Sequence, residues 1–142
     1  MISFTFNIRK FVKFKSKRDR DMRRVMPIAL NAAGDKIKSL ILGRTARGIG
    51  LKGKFPRYSK GYEVFRRKNG KGLTPNLKFT GGMLKDLDVK KVNTNRVLVL
   101  FKTKESGKKA AWVSAKRPFM GVKPDEKKLV TAAFLDEFRR KL

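Results

Sequence analysis

Val89-Lys90-Lys91-Val92-Asn93-Thr94-Asn95-Arg96-Val97-Leu98-Val99-Leu100-Phe101-Lys102 reads as two strands folded about a turn. Val89 to Val92 and Arg96 to Lys102 are rich in branched and aromatic side chains that suit a pleated, half-buried surface. Asn93, Thr94 and Asn95 between them carry the short polar groups that close a turn on its own backbone. This antiparallel pair lies between two segments with helical periodicity, and that combination points to an α+β fold.

Upstream, from about Asp19, the apolar residues Met22, Val25, Met26, Ala29, Leu30, Ala33, Ile37, Leu40 and Ile41 recur at spacings of three and four, the stripe of a long helix. Pro27 should kink this helix or mark its true start, and Gly43 is a natural stop. Downstream, Asp125 is positioned to cap a last helix. Val130, Phe134 and Phe138 bury one face of it, with Leu129, Ala133 and Leu142 alongside. Asp125 and Glu126 at its start and Arg139, Arg140 and Lys141 at its end complement the helix dipole.

Three smaller elements complete the expectation. Ile2, Phe4, Phe6 and Ile8 alternate as a half-buried strand that can extend to Phe14. Thr80 can cap a short helix ending near Leu87. A turn at Gly107-Lys108-Lys109 leads to a third strand at Ala110 to Ser114, and Pro118 and Pro124 bracket a connection. The whole, residues 1–142, reads as a single domain: a small antiparallel sheet of three or four strands packed by the long N-terminal helix and the C-terminal helix.

Residues 43–72 stand apart. They hold seven of the twelve glycines, ten lysines or arginines and one acid, Glu63. Dense glycine and repelling charge predict a projecting basic loop or long hairpin that orders on contact. Phe55, Tyr58, Tyr62 and Phe65 would anchor it at an interface. Within it, Gly48-Ile49-Gly50-Leu51-Lys52-Gly53 matches a glycine pattern of nucleotide-binding loops, but such a loop needs a strand before it and a helix after it. Here a helix precedes and Pro56 follows, so the stretch reads as a flexible basic loop.

Composition narrows the function. The 142 residues carry 38 lysines and arginines against 11 acids, a formal charge of +27, with neither cysteine nor histidine. Thiolate chemistry, disulfides and the commonest base and metal ligand are thereby removed. Eight of the eleven acids fall in pairs, Asp19/Asp21, Asp86/Asp88, Asp125/Glu126 and Asp136/Glu137, with no clustering of the kind a two-metal nuclease needs. A Ser/Lys dyad stays open. No catalytic, cofactor-binding or metal-binding residue is assigned, and no enzyme activity or cofactor is expected. Met1 to Ile8 followed by basic residues reverses the order of a secretory signal. The longest near-apolar stretch, Val25 to Leu30, is far short of the roughly 20 residues that cross a bilayer. A membrane partner is therefore not expected either.

Charge of this size, where a small soluble domain usually carries about 2 to 8, points to a polyanionic partner: DNA, RNA or an acidic protein surface. Residues 1–72 hold 21 basic and 4 acidic groups, and residues 73–142 hold 17 and 7. The candidate contact residues are Arg44, Arg47, Lys52, Lys54, Arg57, Lys60, Arg66, Arg67, Lys68 and Lys71, interleaved with the four aromatic anchors.

One arrangement goes beyond composition. After the first helix come Gly53-Lys54-Phe55-Pro56-Arg57-Tyr58-Ser59-Lys60-Gly61-Tyr62 and then Leu77-Lys78-Phe79-Thr80-Gly81-Gly82-Met83-Leu84-Lys85-Asp86-Leu87. Strands follow, then Arg117-Pro118-Phe119-Met120-Gly121-Val122 and a C-terminal helix. This order, over roughly residues 25–140, resembles the tail-completion or virion-morphogenesis proteins of tailed bacteriophages, the neck proteins that join heads to tails. Where that family usually has a histidine-glutamine-glycine type turn before the Arg-Pro-Phe piece, Ala110-Ala111-Trp112-Val113-Ser114-Ala115-Lys116 here runs into Arg117 with no histidine.

The resemblance implies a structural, non-enzymatic subunit that forms or joins a ring, expected as a homo-hexamer, at the head-to-tail interface. Neighbouring neck proteins, a portal-side adaptor or tail-tube proteins would be its partners, with non-specific contact to phage DNA. Its location would be the virion neck or tail, after assembly in the host cytoplasm. The alternative is a cellular nucleic-acid-binding protein of ribosomal type, in which residues 43–72 thread between RNA helices.

Overall fold

A computed structural model describes residues 19–78 and 81–142. Their order is α1 (Asp19–Ala46), β1 (Ile49–Gly50), β2 (Gly53–Lys54), α2 (Lys60–Lys68), α3 (Gly82–Lys85), β3 (Leu87–Asn93), β4 (Arg96–Phe101), α4 (Lys104–Lys116) and α5 (Pro124–Lys141). The expected N-terminal strand and the Thr80 cap lie outside the described residues.

The apolar stripe of α1 folds as its spacing dictates: Val25, Met26, Ala29, Leu30, Ala33, Ile37 and Ile41 are buried. Pro27 lies inside the helix, which runs on both sides of it, so it does not mark the start. Gly43 does not stop the helix either. Its last turn continues to Ala46 and closes where the N–H groups of Arg47 and Gly48 bond the carbonyls of Arg44 and Thr45.

The central hairpin forms as read. β3 and β4 are antiparallel, with Leu87 opposite Phe101, Val89 opposite Val99 and Asn93 opposite Arg96, and an irregularity between Lys91 and Asn93. In the turn the Asn95 N–H donates to the Asn93 side-chain oxygen at 2.9 Å. Leu87, Val97 and Val99 are buried. Gly34 of α1 sits so close that a Cβ there would lie 2.6 Å from the Val89 side chain, which lets helix and sheet approach.

A third strand does not follow. Ala110 to Ser114 and the expected Gly107-Lys108-Lys109 turn both belong to α4. The Thr103 hydroxyl caps this helix by accepting from the Ser106 N–H, and Lys104, Glu105, Lys108, Lys109, Ala110 and Ala111 are good helix formers. One interior glycine costs about 1 kcal/mol, too little to break the run. Among the described residues the strands form two separate two-stranded sheets, β1-β2 and β3-β4, rather than one sheet of three or four.

In α5 the cap is Lys123 rather than Asp125, with Pro124 in the first turn and Glu126 reaching back to the Lys123 N–H at 2.9 Å. Val130 and Phe134 are buried, and the Phe134 and Phe138 rings stack at 5.7 Å. Leu129 and Leu142, expected on the buried face, are exposed. The core is continuous from α1 through Phe55, Leu84, Leu87, Val97, Ala110 and Phe119 to Val130 and Phe134. The α+β class, with a long helix α1, small antiparallel sheets and a C-terminal helix, is as the sequence predicts, but of the two long helices it is α1 that packs on β3 and β4, while α5 packs on α1 rather than on the sheet.

Candidate functional site

The basic stretch 43–72 divides into the last turn of α1, the short β1-β2 hairpin and helix α2. The hairpin is seated by a close approach. A Cβ on Gly50 would lie 2.5 Å from both the Phe55 ring and the Pro118 carbonyl oxygen, and the Leu51 N–H donates to that same carbonyl at 2.9 Å. Packing thus accounts for this glycine of the Gly48 to Gly53 pattern. α2 begins at Ser59, whose hydroxyl accepts from the Tyr62 N–H, and Glu63 near its start and Arg66, Arg67 and Lys68 at its end match the dipole.

The structure separates the expected contact residues into two sets. Arg47, Lys52, Lys54, Arg57, Lys60, Arg67, Lys68 and Lys71 are exposed. Arg44 and Arg66 are not: each is only 2% exposed. Arg44 donates to the Glu126 carboxylate and to the carbonyls of Phe119 and Gly121 at 2.7 and 2.9 Å. A guanidinium so enclosed needs such partners, because burial of an unpaired charge is prohibitive. Glu126 serves both this pair and the α5 cap, so the contact fastens the end of α1 to the start of α5. Phe55 is likewise a core residue rather than an interface anchor.

Arg66 turns inward on its own arm. Its Nε donates to the Gly72 carbonyl at 2.7 Å, and both terminal nitrogens donate to the Lys78 carbonyl at 3.1 Å. Its guanidinium carbon lies 4.9 Å from the centre of the Tyr58 ring. That of Arg117 lies 5.0 Å from the same ring, while its nitrogens donate to the carbonyls of Pro56 and Arg57 at 3.1 to 3.3 Å. Tyr58 meets Tyr62 edge to face at 4.9 Å, and Tyr62 stacks on Phe65 at 5.9 Å. Two cations are thus fixed over one ring before any ligand arrives.

Beside this cluster opens a groove of about 760 Å³ between the start of α2 and the C-terminal half of α4. Pro56 to Ser59 and Tyr62 form one wall, Leu77 and Lys78 lie at its end, and Trp112, Val113, Lys116 and Arg117 form the other. None of the lining residues is an acid. Trp112 is 74% exposed, with the Lys116 ammonium 5.8 Å from its ring. Of the expected residues, Arg57, Tyr58, Tyr62 and Arg66 meet here. Trp112, Lys116 and Arg117 were not anticipated, because reading 110–114 as a strand hides the four-residue spacing that puts Trp112 and Lys116 on one helix face.

The position of α4 is set at its other end. Asp86 accepts from the hydroxyls of Thr103 and Ser106, and those two bonds, Ser106 first, then the nearby Lys102, hold its carboxyl below the usual range. On α5, the Arg140 guanidinium bonded to Glu137 lowers that carboxyl in the same way. Among the described residues no three acidic side chains converge as a metal site, and no helix is long and apolar enough to cross a membrane. Compared with protein-family models, curated proteins and solved structures, the chain has no match.

Proposed function

We propose that the chain is a structural subunit of a tailed-phage neck, which forms or joins a ring at the head-to-tail interface and performs no catalysis. The observation that supports this reading is convergence. The three sequence pieces that carry the resemblance, around Pro56 to Ser59, Leu77-Lys78 and Arg117, are more than forty residues apart at their extremes yet line one groove. Arg117 of the last piece bonds the backbone of the first, and Arg66 ties the first arm to Lys78 of the second.

In this reading a ring closes by head-to-tail contacts in which one surface meets a different one. Val64 and Phe65 on α2 and Leu129 on α5 supply exposed apolar area for such contacts. The exposed set from Arg47 to Lys71 then faces acidic ring surfaces or the exiting DNA, where each neutralised phosphate releases counterions.

Deletion of the reading frame in the source phage, followed by negative-stain electron microscopy of the lysate, tests this. DNA-filled heads lying beside separate tails, or particles leaking DNA, are the expected result. Unchanged particles overturn it. A purified protein that stays monomeric and binds RNA with a steep salt slope favours the ribosomal-type alternative instead.

A further inference from the structure

We propose that the groove between α2 and α4 binds single-stranded nucleic acid, with a base stacked on Trp112 and the adjoining phosphates held by Lys116 and Arg117. The inference does not rest on the neck reading, since it needs only the groove and its charges.

Three observations carry it. The indole of Trp112 is 74% exposed on a helix face that also presents Lys116, so a large flat apolar surface is paired with a cation and has little protein over it. The opposite wall offers Tyr62, itself partly exposed, within an aromatic row that Tyr58 and Phe65 hold in place. The lining is cationic with no acid, and Arg117 is fixed by backbone carbonyls, so its charge is presented without loss of side-chain freedom on binding.

These features discriminate among polyanions. An acidic peptide would use the cations and leave the indole unmatched, whereas every nucleobase has a face that stacks on an aromatic ring. Duplex DNA keeps its bases inside its own stack, so it can satisfy the cations only. A second copy of this chain is a poor occupant, since it also carries +27. Asp21, Glu63, Asp88, Glu126 and Glu137 are moreover already paired with cations of their own chain.

Trp112 is the only tryptophan, so its fluorescence reports this one position. The full chain is titrated with an oligothymidylate of about ten nucleotides, and in parallel with inorganic polyphosphate, poly-glutamate and a duplex of the same length. The expected result is quenching by the oligothymidylate alone. Trp112→Ala, read by anisotropy of the labelled oligonucleotide, should weaken binding about tenfold, with Trp112→Phe close to the parent and polyphosphate affinity unchanged. The exposure of Trp112 means that both variants should fold, which circular dichroism checks. Absence of quenching, or equal affinity of parent and Trp112→Ala for the oligonucleotide, overturns the proposal. Tighter binding and quenching by poly-glutamate overturns it in favour of an acidic protein partner. The deletion phenotype at the neck is unaffected by either result.

Discussion

Arg44 and Arg66 are equally buried, yet they hold different parts of the molecule. The acceptors of Arg44 lie 75, 77 and 82 residues away, on the Phe119 and Gly121 backbone and on Glu126. Those of Arg66 lie 6 and 12 residues away, on Gly72 and Lys78. One guanidinium therefore closes the tertiary body, and the other closes an arm made of α2 and its flanks. The same side chain at the same exposure can be a long-range clasp or a local one, and the origin and kind of its acceptors distinguish them.

The largest effect should come from breaking the long-range clasp. Arg44→Met leaves the Glu126 carboxylate buried without its cation, so denaturant unfolding should show a loss of about 3–5 kcal/mol. Adding Glu126→Gln should recover part of it. Arg66→Ala should cost less, about 1–3 kcal/mol, by removing the charge-assisted hydrogen bonds to the Gly72 and Lys78 carbonyls. Its signature is local: hydrogen exchange should accelerate across residues 59–78 while the α1 core keeps its protection. Equal exchange changes in both regions would erase the distinction between body and arm.

The smallest effect concerns Asp86, outside both clasps. Its carboxyl titrates lower when folded than its ordinary value of 3.8, so its contribution is full above that value and is lost as the pH falls through the lower folded value. The gap in melting temperature between the parent and Asp86→Asn should accordingly narrow as the pH drops below about 4. A gap that stays constant with pH would mean that the hydroxyl bonds to Asp86 do not set the start of α4.

The contrast between the two arginines also explains what could be read in advance. The α1 stripe, the β3-β4 hairpin and the Val130, Phe134, Phe138 face each announce themselves by period, because burial on one side leaves a repeating trace. α4 leaves a poorer trace. Its start depends on Asp86 reaching Thr103 and Ser106 some twenty residues on, and its length is too small for Ala110 to Ser114 to settle the period. The groove was half legible. Arg57, Tyr58 and Tyr62 stand out as a basic and aromatic run, while Trp112 and Lys116 become partners only once their segment is helical. Charge counting misplaced Arg44 and Arg66 because a count cannot tell a cation facing water from one facing backbone carbonyls.

Among the described residues, the Phe119 and Gly121 carbonyls and the Glu126 carboxylate are the partners of the Arg44 head group, and all of them come late in the chain. During synthesis from the N-terminus, α1 and both hairpins emerge while that cation still lacks its counterparts. The early segments must therefore wait, solvated and unlocked at the end of α1, until the first turn of α5 has left the ribosome. Completion of the fold is tied to arrival of the last helix, and a chain halted before it would present an open seam along α1 instead of a finished body.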